Sequence, residues 1–150
     1  MEIHQYLLPE FETQIKNGIW AGTYIIKDVN ENKIVYIGQS IYSVKKRLDS
    51  HWNSKLFEYD QNKAKREYEI IFIKYPEIYQ NNKEFSEYIE YCCLRLYINF
   101  LRSKLDTETK VCPELNIDFK EPKINLEYEK QFQGIKHELI TKCTGKIKFS

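Results

Sequence analysis

The sequence predicts an α+β domain: a small three-stranded mixed or antiparallel β-sheet flanked by helices. Three observations carry that reading. Two runs rich in β-branched and aromatic residues, Gly22–Ile26 and Ile34–Gly38, flank a polar tip at Asp28–Lys33 and read as a hairpin. A third run, Tyr68–Tyr75, is stopped by Pro76 and supplies the last strand. Around these strands, apolar residues recur at helical spacing from Val44 to His51 and from Glu84 to Lys104.

The size of the chain agrees with one such domain. Its 150 residues, 42% hydrophobic and 15% aromatic, suffice for a single core. A formal net charge of +1 excludes a uniformly basic, nucleic-acid-coating protein. The charge is unevenly spread, however: residues 41–66 hold an excess of four positive charges and residues 136–150 an excess of three. Either patch suits a phosphate backbone, although charge runs of this size are also common on ordinary solvated faces. The N-terminal residues lack a basic leader and a long apolar core, and the four cysteines Cys92, Cys93, Cys112 and Cys143 show no zinc-type spacing. Both features point to reduced core thiols and a cytoplasmic setting.

In chain order, Leu8, Phe11 and Ile15 form one apolar side of a short helix over residues 8–18, ended by Gly18. The hairpin follows, with Gly38 closing its second strand and Gln39 and Ser40 leading out. Ser43 is the expected N-cap of the next helix, on which Val44, Leu48 and His51 recur while Lys45, Lys46 and Arg47 occupy the flank. Arg47 and His51, four residues apart, share one edge of that helix. Residues 59–65 read as a polar loop before the third strand. On the long helix, Phe85, Ile89, Cys92, Cys93, Leu96 and Phe100 form an apolar arc. Glu90 falls inside its widened margin, Glu87 at the far margin and Glu84 on the opposite edge. A carboxylate among apolar neighbours demands a cation, a hydrogen-bond network or a metal, so Glu90 is the acid that needs explaining. Glu87 is the reserve, since the wheel can turn by a residue.

Gly22-Thr23-Tyr24, Tyr36-Ile37-Gly38 and the pair Arg47 and His51, in that order, resemble the motifs of the GIY-YIG nuclease family. Thr23 stands where that family carries isoleucine, a change that removes an apolar contact and keeps the tyrosine. Each motif alone is weak in a chain with twelve tyrosines; their order and spacing together make the resemblance, which spans roughly residues 21–117. It implies an endonuclease that hydrolyses DNA phosphodiesters with one divalent metal, Mg2+ or Mn2+. Tyr24, Tyr36, Arg47, His51 and Glu90 would be catalytic, with Tyr24 as the general base and Glu90 as the metal ligand. Gly38, Gln39, Ser40, Lys45, Lys46 and Asn116 would face the substrate; Asn116 lies in Pro113-Glu114-Leu115-Asn116, which resembles the family's closing motif after an insertion near Asp106. Residues 118–150 are then an extension packed on the core. One site per chain cuts one strand, so a double-strand break calls for a homodimer, a partner protein or two successive nicks. The alternatives are a non-catalytic nucleic-acid-binding module that keeps the fold, or a partner-binding domain with no salt-dependent affinity for DNA.

Overall fold

A computed structural model describes residues 1–15, 20–54, 67–101 and 121–145, with the backbone alone for 50–54. Its centre is a fully antiparallel sheet of four strands, β1 (Glu2–Leu7), β2 (Gly22–Asp28), β3 (Lys33–Ser40) and β4 (Tyr68–Lys74), in the spatial order β1-β4-β2-β3. The three expected strands are present. The fourth, β1, was not legible because both of its faces mix apolar and polar residues: Ile3, Gln5 and Leu7 alternate with Glu2, His4 and Tyr6.

β2 and β3 form the hairpin. Asp28 Oδ1 accepts hydrogen bonds from the Asn30 and Glu31 backbone amides at 2.9 and 3.1 Å, and Asn32 turns the chain at φ 50°. Asparagine tolerates that left-handed conformation better than most residues. Ile26 pairs with Tyr36 and Lys27 with Ile34, so Val35 is the extra residue of a β-bulge.

Helices cover both faces. The short α1 (Leu8–Gln14) and α2 (Val44–Ser54) lie on one side, where Phe11, Ile26, Val44, Leu48, Ile70 and Phe72 make a compact core. α1 is shorter than the expected 8–18, and residues 16–18 lie outside the described residues. On the other side α3 (Lys83–Leu96) begins at Asn82, whose side chain accepts from the Phe85 amide at 3.0 Å, and ends in a π-helical turn over Tyr97–Leu101. The expected end at residue 104 lies outside the described residues. The polar stretch near the C-terminus is α4 (Leu126–Thr144), capped by Asn125 and laid on α3 through buried Tyr128, Phe132, Ile135, Leu139 and Cys143. Cys92, Cys93 and Cys143 are buried free thiols, whereas Cys112 lies outside the described residues. Among the described residues, no helix is long and apolar enough to cross a membrane.

At the hairpin end, α4 is tied to the sheet by a buried cation. Lys27 Nζ lies 3.2 Å from Glu69 Oε1 and donates to Asn32 Oδ1 at 2.8 Å and to the Gly145 carbonyl at 3.0 Å. Gln5 Nε2 donates to the second carboxylate oxygen of Glu69 at 3.0 Å. Three acceptors match the three ammonium protons, which is what makes an ion pair of 0% and 2% exposed side chains tolerable. Lys27→Met strands Glu69 as a buried, unpaired charge. Urea unfolding should show a loss of about 3–5 kcal/mol, of which Lys27→Met combined with Glu69→Leu recovers part; an unchanged midpoint in the single variant would disprove the role.

Candidate active site

The register of β2 builds the first half of the site. Tyr24 stands opposite Gly38 on β3 and Phe72 on β4, and Ile26 opposite Tyr36 and Ile70. All but Gly38 belong to the core under α1 and α2, so Tyr24 and Tyr36 share that face. Their rings stack with centroids 6.2 Å apart and planes 22° apart. Gly38 is what permits this: a Cβ there would stand 2.7 Å from both Cζ and OH of Tyr24 and 2.7 Å from Tyr36 Cε1. Gly22 has a related task, since a Cβ would run into the Ile73 carbonyl and the Phe72 ring.

The second element is α2. As expected, Ser43 caps it, its hydroxyl accepting from the Lys46 amide at 3.4 Å, and the Val44 amide bonds the Trp20 carbonyl at 3.1 Å. Val44 and Leu48 anchor the helix in the core while Lys45, Lys46 and Arg47 remain exposed. Arg47 hydrogen-bonds the Tyr24 hydroxyl. Together with Ser40, Tyr42, Ser43 and Lys46 it lines an open depression of about 270 Å3 that carries two cationic side chains. Tyr42, 68% exposed beside two cations, had no motif to mark it. His51 lies one turn beyond Arg47 on α2, but its side chain is outside the described residues, as is the whole of Asn116.

α3 contributes the carboxylate. Glu90 is partly buried and close enough to Arg47 and Tyr24 to couple with both. Its carboxyl is pushed up to about 7, chiefly by burial and further by Glu87, with Arg47 opposing. Glu87, the reserve, turns outward instead, 55% exposed and 3.8 Å from Lys83. Tyr24 is shifted upward as well, by burial first and by Tyr36 and Glu90; the charge and hydrogen bond of Arg47 only partly counter this. In the metal-free protein Tyr24 is therefore a phenol at neutral pH.

The donor set bears on which metal the site suits. No cluster of three or more His, Cys, Asp or Glu occurs among the described residues. The one carboxylate that Glu90 offers fits a hard cation, which completes its shell with water and phosphate; burial disfavours the ionised form of Glu90, and Arg47 opposes this only in part.

The remaining candidate, Gln39, points to the opposite face of β3, where its Oε1 accepts from Ser86 Oγ on α3 at 2.5 Å. Thr23 also differs from its expectation. Its hydroxyl is buried and bonded to Tyr75 OH at 2.6 Å, so it contributes a polar contact and does not merely delete an apolar one. Neither Tyr75 nor Ser86 stood out in the sequence; the only signal was a threonine in place of isoleucine.

Comparison with family models matches residues 21–98, just over half of the chain, to the GIY-YIG catalytic domain. The matched segment stops short of residue 117 and leaves β1, α1 and α4 outside. No curated protein and no solved structure matches the chain. With Tyr24, Tyr36, Arg47 and Glu90 all inside the matched segment, the chain belongs to the GIY-YIG family and has its nuclease-type fold.

Proposed function

We propose that the protein is a divalent-metal-dependent endonuclease that hydrolyses phosphodiester bonds in DNA. The observation that carries this reading is the convergence of Tyr24, Tyr36, Arg47 and Glu90, from two strands and two helices, into one electrostatically coupled group beside an open cationic depression. A structural cluster has no need of an exposed guanidinium facing a half-buried acid. Phosphodiester hydrolysis needs a positioned water, relief of the charge on the phosphorane and neutralisation of the leaving oxygen.

Each residue suits one of these tasks. Arg47 presents a planar fork of donors to a phosphate, a geometry that lysine lacks. Lys46 and Ser40 extend the same surface along the backbone of the nucleic acid, with Lys45 on the outer flank. Glu90 would hold a Mg2+ or Mn2+ ion, which supplies Lewis acidity at the phosphate. Tyr24, held as a phenol by burial, acts as a base only if its own proton passes on as water attacks. His51, one turn from Arg47, is the proposed acceptor. Tyr36, stacked on Tyr24, orients water or phosphate. DNA cleavage on both strands would require a second copy, a partner or a second nick.

The non-catalytic binding module is the competing reading, and the phenolic state of Tyr24 is the observation in its favour. Plasmid cleavage separates the two. Wild type should nick DNA with Mg2+ and not with chelator. Arg47→Ala should lower the rate at least about a hundredfold, the usual effect of losing a donor to transition-state charge. Glu90→Gln should abolish it. DNA bound without Mg2+ and left uncut by wild type would favour the binding module.

Metal binding has its own signature in stability. A Glu90 carboxyl that titrates near 7 in the folded protein against 4.5 when unfolded stabilises fully below about 4.5, and this is lost as pH rises through 7. Partial exposure limits the effect to the order of 1–2 kcal/mol. Melting of the metal-free wild type should therefore fall relative to Glu90→Gln between pH 5 and pH 8. Millimolar Mg2+ at pH 8 should raise the wild-type Tm and leave that of Glu90→Gln unmoved. Equal responses in the two proteins would remove Glu90 as the ligand.

A further inference from the structure

Thr23 is fully buried on the sheet face away from Tyr24, where an unbonded hydroxyl would be costly. It opens a chain of three short hydrogen bonds. Thr23 Oγ1 lies 2.6 Å from Tyr75 OH, Tyr75 OH 2.7 Å from Ser86 Oγ, and Ser86 Oγ 2.5 Å from Gln39 Oε1. The direction of the chain follows from its last member. A carbonyl oxygen only accepts, and each hydroxyl has one proton to give. Ser86 therefore donates to Gln39, Tyr75 to Ser86, and Thr23 to Tyr75. Aligned donors of this kind polarise and strengthen one another in a buried setting.

The chain joins the elements that form the site. Thr23 immediately precedes Tyr24 on β2, and Gln39 immediately follows Gly38 on β3. Ser86 lies one helical turn before Glu90 on α3, and Tyr75 follows β4. An aliphatic side chain at position 23 could pack against α3 in several nearly equivalent ways. Hydrogen bonds of 2.5–2.7 Å allow one.

We propose that the Thr23–Tyr75–Ser86–Gln39 chain is a positioning device, in which Tyr75 and Ser86 seat the Glu90 turn of α3 against the strands that bear Tyr24 and Gly38. It compensates for the absence of isoleucine at position 23 and rests on the nuclease reading above. None of the four residues needs to touch the reacting atoms. A misplacement of about 1 Å by a distant change can lower a rate about a hundredfold, so loss of the chain should act on turnover and leave DNA binding alone.

The test uses the full chain with Ser86→Ala, Tyr75→Phe, Thr23→Val and Thr23→Ser, beside wild type and Glu90→Gln. Tyr75→Phe keeps the ring that packs edge-on against Phe85 at 5.2 Å, and Thr23→Val keeps the volume of the side chain, so both retain the core. Circular dichroism at the assay temperature confirms folding. Two quantities are read: kcat and KM for plasmid nicking in Mg2+, and the Mn2+ affinity of the DNA-free protein by electron paramagnetic resonance. The expected result is a fall in kcat of about ten- to a hundredfold for Ser86→Ala, Tyr75→Phe and Thr23→Val, with KM for DNA unchanged. Their Mn2+ affinity should weaken by about tenfold. Thr23→Ser, which keeps the donor, should match wild type in both. Wild-type kcat and Mn2+ affinity in the three disrupted variants, with Glu90→Gln inactive, would overturn the positioning role and leave the nuclease reading standing. No difference between wild type and Glu90→Gln in either measurement would overturn both.

Discussion

The site depends on one close approach: the Tyr24 ring lying across the backbone of β3 at Gly38. Backbone pairing brings the two residues face to face, and the missing side chain leaves room for the phenol to settle against Tyr36. Register makes this all-or-none, since a slip of one residue would send Tyr24 to the α3 face and Thr23 to the α2 face. The bulge at Val35, two residues before Ile37, is absorbed further down the hairpin and leaves the Tyr24 row intact. From this row Arg47 is reached by way of α2, whose Val44 and Leu48 are seated in the same core as Tyr24.

Electrostatically, the group is arranged around an imbalance. Burial drives both Tyr24 and Glu90 toward their neutral forms, and Arg47 is the cation that opposes this for both. One exposed guanidinium does not outweigh two desolvated acids, because its own charge is screened by solvent. Such a site gains from any added positive charge, and the same surplus of acid would be a defect in a purely structural core. Arg47 also lines, with Lys46, the depression that opens to solvent beside this group.

Elements outside the matched segment stabilise it from both ends. α4 covers α3 through an aromatic cluster in which Phe85 and Tyr128 meet edge-on at 5.1 Å, and Glu129 accepts from Tyr88 at 2.8 Å and from Arg95 at 3.1 Å. Its C-terminal carbonyl ends on the buried Lys27. On the opposite face, β1 and α1 carry His4, Tyr6 and Phe11 to Trp20 and Phe72, and Lys74 lies 4.6 Å above the Trp20 ring. α4 thus backs the helix that bears Glu90, while α1 completes the core in which Val44 and Leu48 of the Arg47 helix are seated.

Local physics determined much of this protein in the sequence alone. β-branched runs around an Asn-rich tip specify the hairpin, Ser43 marks a helix start, and an acid within an apolar arc singled out Glu90 ahead of Glu87. Those signals lie within a few residues of one another, so they can be read without knowing the fold. The rest depends on residues that are distant in sequence. β1 becomes a strand because β4 offers it an edge, and Lys27 is tolerable because Glu69, Asn32 and Gly145 converge on it. Thr23, Tyr75, Ser86 and Gln39 span 64 positions, from 23 to 86, and no local periodicity links them. The sequence by itself determined which side chains could perform the chemistry. Tertiary structure alone decided the protonation they favour and the hydrogen bonds that orient them, because burial and direct contact are properties of the packed chain.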